Sequence, residues 1–488
     1  MTVPPIAAQA AAANSGATSP VKAHQRRKPG TAKKLDGAAK LYALIDEATR
    51  DAAGQDVGDL IILDTIDKAM ADAALKSLPK RGSPVGAFAA GSFDWQPRVF
   101  TIQKSALTQS FPSATRGEWF ELTPSTPGRN ALRLTAVDLG TPSDAEAEQG
   151  NDAESDVYVL PRSVPVARTK VAKLDRLAML EGVNVAPVDG SLQSIVGVWP
   201  TAASALRVAV YDVGQANCNA VIRANGRPLI YFDMGWPWSS TAAPVQVPNL
   251  LRGNRAPVVL SHWDFDHWAF ALQSRGRGGK GVVVKPEALE RNWIARKPEL
   301  KAHRLGPTHI AFAIALLKVG KLLLWPDATK TLDATGLRLI ACKPKGAALS
   351  DRNNTGLAMR VQHVGDTGLG DVLLTGDADY ASISNADSTA LDGLTGLVVP
   401  HHGGATITSP PVPALLHSPA VISAHERNTY GHPKAAVIFG CISAGWGIAC
   451  TLNRYPNCGG DKLIPNGCLA TCAGSPPATC PQRLIGLL

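Results

Sequence analysis

The six residues His262-Trp263-Asp264-Phe265-Asp266-His267 put four metal-ligating side chains on one short stretch of chain. Imidazoles and carboxylates at that spacing can converge on an ion that keeps a position open for water, whose pKa the ion lowers towards neutrality. A fixed H-x-D-x-D-H arises by chance in on the order of one chain in a thousand of this length, which weighs against the plainer reading of a polar turn that opens a helix. The stretch also constrains the fold, because ligands from distant positions meet only if a rigid sheet carries them. Short apolar runs ending in ligand-type residues supply such strands. Val258-Val259-Leu260 leads into His262, Val372-Leu373-Leu374 into Gly376-Asp377, and Leu397-Val398-Val399 into His401-His402, each consistent with a buried strand.

The neighbouring sequence extends the pattern. Residues 206–212 alternate as a strand, and residues 219–224 and 229–232 flank Asn225-Gly226, a strong hairpin signal. Ten of the eleven histidines lie beyond position 261, so the chemistry belongs to the C-terminal half.

With these residues in view, the chain resembles the metallo-β-lactamase fold, whose usual signature is H-x-H-x-D-H. The variant here, with Asp264 in place of the second histidine, is similar to the metallo-hydrolase domain of bacterial competence DNA-internalisation proteins. Asp212-Val213-Gly214-Gln215 resembles that branch's opening strand motif, and Tyr231-Phe232-Asp233-Met234-Gly235 its second-strand aspartate. Asn353-Asn354-Thr355, Leu374-Thr375-Gly376-Asp377, Pro400-His401-His402-Gly403 and Tyr430-Gly431-His432-Pro433 resemble the later motifs in order. The match spans about 206 to 455. Two departures stand out: the fold's separate histidine before Asp377 has no motif-level counterpart among His303, His309 and His363, and the membrane spans of the competence proteins are missing.

The resemblance implies an α/β fold, a metallo-β-lactamase αββα sandwich, and the residue pattern ahead of it predicts a small α+β or β-rich N-terminal domain. It implies one or two divalent ions, with His262 and Asp264 on the first, Asp266 and His267 on the second, and Asp377 bridging. His402 is preferred to His401 as the remaining ligand, because neighbouring side chains at a strand end point in opposite directions. Asp264 in place of an imidazole hardens the site towards Mn2+ or Mg2+, with Zn2+ still open. Asp266 could also orient the attacking hydroxide. Asp233 would fix a ligand's orientation rather than bind metal. His432 would stabilise the transferring phosphate or protonate a leaving oxygen, or else simply start a helix before Pro433. Asn354 would hydrogen-bond an oxyanion or form a turn.

Around these motifs, Trp236, Trp238, Trp263 and Trp268 could stack bases or wall the cleft. Arg275, Arg277 and Lys280, in a glycine-rich stretch, could contact substrate phosphates. Ser261 and Cys218 lack a readable base partner and are set aside as nucleophiles.

Composition sets the outer limits. At 488 residues, with 45% apolar and 18% charged residues, the chain is long for one core and predicts two folded parts. A net charge of +9 and a pI near 9.1 favour an anionic partner such as nucleic acid or a phosphoester. Part of that charge, His24 to Lys28 and Lys33-Lys34, also fits a solvated basic arm. Residues 310–325 form the nearest approach to a membrane span, but Lys318 and Lys321 break it, and the N-terminus lacks a secretory pattern. The expectation is therefore a cytoplasmic, bacterial-type enzyme.

Residues 1–36 are expected to be a disordered basic tail. Over 37–200 the pattern predicts a helical plus β-rich domain that could also dock a protein partner. Within it, residues 41–78 carry helical spacing (Leu41, Leu44, Ile45, Ala48, then Leu60 to Met70) that predicts two helices, and acidic residues 144–156 predict an exposed loop. The hydrolase domain is placed at 206–455 and a cysteine-rich segment at 456–488. Six of the eight cysteines fall in the last 48 residues (Cys441, Cys450, Cys458, Cys468, Cys472 and Cys480), a cluster that suggests a zinc knot, buried thiols or, in an oxidising compartment, disulfides, although the spacings lack the paired C-x-x-C of a strong zinc signal.

The function these features predict is a metal-dependent phosphodiesterase, foremost a nuclease, in which metal-bound hydroxide attacks phosphorus. The alternatives are a hydrolase of small esters, of the phosphocholine-esterase or lactonase type, and a non-catalytic nucleic-acid-binding module.

Overall fold

The computed structural model describes residues 39–50, 56–78, 95–110, 115–128, 131–142, 157–160, 166, 168–183, 206–223, 225–244, 247–251, 254–275, 281–325, 330–334, 336–364, 370–404, 406, 408–428, 430–451 and 461–464. The tail at 1–36, the acidic stretch 144–156 and most of 456–488 lie outside these residues.

Six strands close into a barrel in the order Leu41–Arg50, Asp56–Asp67, Pro97–Gln103, Leu132–Val137, Val157–Leu160, Trp119–Pro124. Here the structure departs from the helical spacing. Leu41–Arg50 and Asp56–Asp67 are two antiparallel strands, and the one helix described over 41–78 is Lys68–Ser77, capped by Asp67. The cause is burial on both faces. Leu41, Ala43 and Ile45 point into the barrel with Ile61, Leu63 and Phe100, while Tyr42, Leu44, Ile62 and Ile66 pack outwards on the neighbouring core. A strand buried on both sides loses its polar alternation, and its continuous apolar run then satisfies a helical template by accident.

Beyond the barrel the chain builds two seven-stranded sheets. The first runs Leu322–Leu324, Trp293–Ala295, Val258–Val259, Pro228–Met234, Cys218–Ile222, Arg207–Val210, Lys462–Ile464. The second runs Thr331–Ala334, Leu337–Ala341, Leu357–Val364, Gly370–Leu374, Gly396–Val398, Pro419–Ile422, Gly447–Cys450. Asn225-Gly226 turns the hairpin between Cys218–Ile222 and Pro228–Met234, with Gly226 at φ 76°.

Side chains alternate as the pleat requires. Val208, Val210, Ile230 and Phe232 of the first sheet share one apolar cluster with Leu357, Met359, Val372 and Leu374 of the second, each burial contributing roughly 1.5–3 kcal/mol. The opposite face of the first sheet, through Ala220 and Tyr231, packs with Phe312 and Leu316 of helix Pro307–Lys318 and with the barrel's Tyr42 and Leu44. The far face of the second sheet packs on helices Tyr380–Ala386 and Ala435–Ser443. This is a mixed α/β architecture with several sheets and few helices. Among the described residues no helix is long and apolar enough to cross a membrane.

Two sets of parallel strands decide where chemistry can occur. Val258–Val259 lies parallel to both of its neighbours, and Gly370–Leu374, Gly396–Val398 and Pro419–Ile422 run parallel to one another. The turns that follow them carry residues 261–267, 376–377, 401–402 and 423–425, so the ligand-type residues collect at strand ends.

Candidate metal centre

Two overlapping groups of side chains gather there. His262, His267 and Asp377 form one, and Asp266, His267 and His402 the other, with the potential ligand atoms of each group within 4.8 Å of one another. His267 belongs to both.

The rings are held from behind. His267 is fully buried, and its Nδ1 lies 2.8 Å from Asp233 Oδ2. Because a carboxylate only accepts, Nδ1 carries the proton and Nε2 presents its lone pair. Asp233 also accepts from the Ser261 amide at 2.7 Å and the Ser261 hydroxyl at 2.8 Å, and this hydroxyl lies 3.0 Å from His262 Nδ1. His402 Nδ1 donates to the Ser423 carbonyl at 2.8 Å, which again leaves Nε2 bare.

Those bare nitrogens face carboxylates. His267 Nε2 lies 3.3 Å from Asp377 Oδ1 and 3.7 Å from Asp266 Oδ1, and His402 Nε2 lies 3.1 Å from Asp266 Oδ2. His262 Nε2 lies 3.3 Å from Asp264 Oδ2 and 4.0 Å from Asp377 Oδ2. Neither His262 Nε2 nor His267 Nε2 has a hydrogen-bond partner, although both are buried. A lone pair aimed at a carboxylate in a dry site is repulsive unless a cation lies between them. In the absence of an ion a proton can fill that place. Burial alone would lower the His267 pKa, but Asp377, Asp233 and Asp266 hold it well above the usual range. Burial likewise opposes the charged form of His402, and Asp266 and Asp377 outweigh it to raise the pKa. The donor set therefore fits a divalent ion bound by imidazole and carboxylate.

Asp377 is positioned by a residue that sequence reasoning missed. Asn217 Nδ2 donates to Asp377 Oδ1 at 3.0 Å, and the Asn217 backbone is locked by an amide bond to the Asp266 carbonyl at 2.9 Å. A Cβ at Gly235 would collide with that same carbonyl, which is why the Asp233-Met234-Gly235 run ends as it does. Ser261 was missed too: set aside as a nucleophile, it ties both ligand-loop histidines to Asp233. Gly235 sits within a quoted motif and Ser261 directly before one, but their spacing alone gives no sign of these bonds.

Asp264 has a different environment. Its Oδ1 accepts from Arg116 Nη2 at 2.6 Å and Arg352 Nε at 2.5 Å, and it enters neither ligand group. Burial would raise its pKa, but Arg116, Arg352 and His262 hold it well below the usual carboxylate range. Arg352 also bonds Asp46 in the barrel.

The other residues singled out from sequence are distributed as follows. His401 and His402 do not alternate along a strand end; both adopt left-handed backbone, at φ 52° and 54°, so both rings turn towards the cluster. His401 Nε2 approaches Asp377 Oδ2 at 3.9 Å and is partly exposed, whereas His402 is buried. His432 stacks on Tyr430 and meets His401 edge-on at 5.2 Å, and burial together with His401 and His402 presses its pKa well below the usual range. The side chain of Asn354 is engaged by three neighbours. It donates to Asp351 and accepts from the Asp379 amide and the Ser382 hydroxyl, so it anchors helix Tyr380–Ala386 rather than facing the cluster. Trp236, Trp263 and Trp268 are buried in the core and unavailable for base stacking, while Trp238 bonds Tyr430 at 2.8 Å.

Arg275 lines a cleft against the barrel with Arg98 and Asp138 rather than joining the ligand groups. Arg277 and Lys280 lie outside the described residues. Burial, Arg116 and Arg352 push His303 down to about 4. His309 is held between Asp64 and Asp46, and the His363 side chain is outside the described residues. Cys441 is a buried free thiol, as are Cys218 and Cys342, and Cys450 is buried as well.

No family model matches the chain, and no curated protein matches it. Among solved structures it is similar to a mutant of CmlA beta-hydroxylase, at 14% identity and a TM-score of 0.25, over 55% of this chain and 50% of that one. The match spans about half the length of that protein, and so slight a likeness carries no argument about chemistry. The geometry of the site has to carry it.

Proposed function

We propose that this chain is a metal-dependent hydrolase of the metallo-β-lactamase αββα type, acting on phosphodiesters and foremost on nucleic acid. One observation carries the metal reading: the ring nitrogens of His267 and His402, with their protons committed to Asp233 and Ser423, turn lone pairs onto Asp266 and Asp377 at 3.1–3.7 Å. Two facing sheets with helices on their outer faces support the fold assignment, and the net charge of +9 supports an anionic substrate.

A divalent ion, Zn2+ or Mn2+, held by Asp266, His267, His402 and Asp377 supplies Lewis acidity and lowers the pKa of water. The residues do the rest. Asp266, the most exposed of the carboxylates at 15%, is placed to take the proton of the attacking water. Asn217 keeps Asp377 oriented by holding one of its oxygens. His432, neutral at physiological pH, has an unpartnered Nδ1 and lies beside His401, where it can hydrogen-bond a phosphate or leaving oxygen. Buried Trp263 and Trp268 close the floor behind the loop.

The test is metal analysis of the purified protein, followed by cleavage assays on plasmid DNA, single-stranded DNA and a small chromogenic ester with added Zn2+ or Mn2+. Asp266→Ala is expected to lose DNA cleavage with its circular dichroism unchanged. Equal activity of both proteins would refute the assignment, and cleavage of the ester alone would move the substrate to small esters.

A further inference from the structure

Asp264 and Asp266 are two residues apart, yet their surroundings are opposite. Asp266 faces the ring nitrogens of two imidazoles, and no lysine or arginine pairs with it among the described residues. Asp264 has one oxygen taken by two guanidiniums, Arg116 from the barrel and Arg352 from the second sheet's approach, and only Oδ2 turned to His262.

The clamp is built into the fold. Arg116 sits on the tight turn before the barrel strand Trp119–Pro124. In that turn the Thr115 amide donates to Glu118 and the Gly117 amide to the Ile45 carbonyl. Gly117 has φ 81°, and a Cβ there would strike the Lys301 carbonyl. Its own carbonyl accepts from Arg304 Nη1 at 2.6 Å, and Arg304 pairs with Asp175. Arg352, in turn, is 2% exposed and pairs with Asp46 on the barrel strand Leu41–Arg50. Both guanidiniums therefore reach Asp264 from positions fixed by the barrel.

We infer that the barrel sets the metal occupancy of the site: Arg116 and Arg352 hold Asp264 as an ion-pair partner rather than a ligand. The position among Asp266, His267 and His402 then takes one ion tightly, and the position beside His262 takes a second only weakly. The inference rests on the metal-binding reading above and adds an asymmetry to it. A cation beside His262 finds Asp264 already neutralised by two fixed guanidiniums, so the attraction that a free carboxylate would supply there is lost. A cation beside His402 finds Asp266 without such a pairing among the described residues.

Titration of metal-free protein with Zn2+ alone, by calorimetry and by elemental analysis after desalting, tests this without reference to activity. Wild type is expected to retain one ion, with a second at least about 100-fold weaker. Arg116→Gln removes one charge, and Gly117→Ala displaces Arg116 with no change of charge. Each is expected to tighten the second ion by about tenfold and to leave the first unchanged. Two ions of equal affinity in wild type, or a second ion unaffected in both variants, would overturn the inference while leaving metal binding intact. If wild type binds no ion at all, matching Asp266→Ala, both the inference and the metal reading fail.

Discussion

The two ends of the ligand loop share a sequence pattern but differ in environment. At one end, Asp266, His267 and His402 form an acceptor-rich pocket whose imidazoles are oriented by Asp233 and by the Ser423 carbonyl. At the other, Asp264 is neutralised by two arginines and linked through Arg352 to Asp46 of the barrel. The difference teaches that an aspartate's role is set by which charges surround it. The first end presents a donor set that a divalent cation would fit, while at the second two arginines already supply positive charge.

The sharpest way to break this contrast is to truncate the two adjacent histidines one at a time. His402→Ala is expected to weaken binding of the tight ion by more than the roughly 10–100-fold that loss of an outer partner costs, and His401→Ala by much less. Equal losses measured by Zn2+ titration would erase the distinction between the buried ring and the partly exposed one. Next comes Asp264→Asn, which removes the charge that partly buried Arg116 and buried Arg352 share and leaves Arg352 with Asp46 alone, and is expected to lower unfolding stability by up to about 3–5 kcal/mol. The tight ion's affinity should meanwhile stay within a few-fold of wild type. A collapse of that affinity without loss of stability would make Asp264 a ligand after all.

A smaller effect is expected from Asp233→Asn. It removes the acceptor that holds the His267 proton, and metal affinity should fall by roughly 10–100-fold. A value unchanged within error would mean that Ser261 alone orients the ring. Asn354→Ala should be the mildest. With the Asp379 amide and Ser382 left unpaired, denaturant melts should show about 1–3 kcal/mol lost, and metal affinity should not move.

Much of the centre was legible because its chemistry is local. His262, Asp266 and His267 lie on one loop, and Asp377 and His402 each follow an apolar run that reads as a strand. The partners that orient them were not legible. Asn217 reaches Asp377 across 160 positions of sequence and Arg116 reaches Asp264 across 148, and nothing in the composition of either segment marks it as a neighbour of the loop. The barrel strands over 41–67 were read as helices because burial on both faces removed the alternation by which a strand is recognised. The bonds of Asn354 to Asp351, Asp379 and Ser382 are likewise invisible before the chain is folded.

The sequence by itself determined which side chains could bind metal and that short strands would deliver them, since ligand chemistry and apolar runs are properties of residue type and spacing. Only the tertiary structure decided that His267 and His402 expose lone pairs to carboxylates, and that Asp264 is claimed by arginines. Tautomer and ion pairing depend on which group lies within about 3 Å, and the packing of the barrel and the two sheets sets those distances.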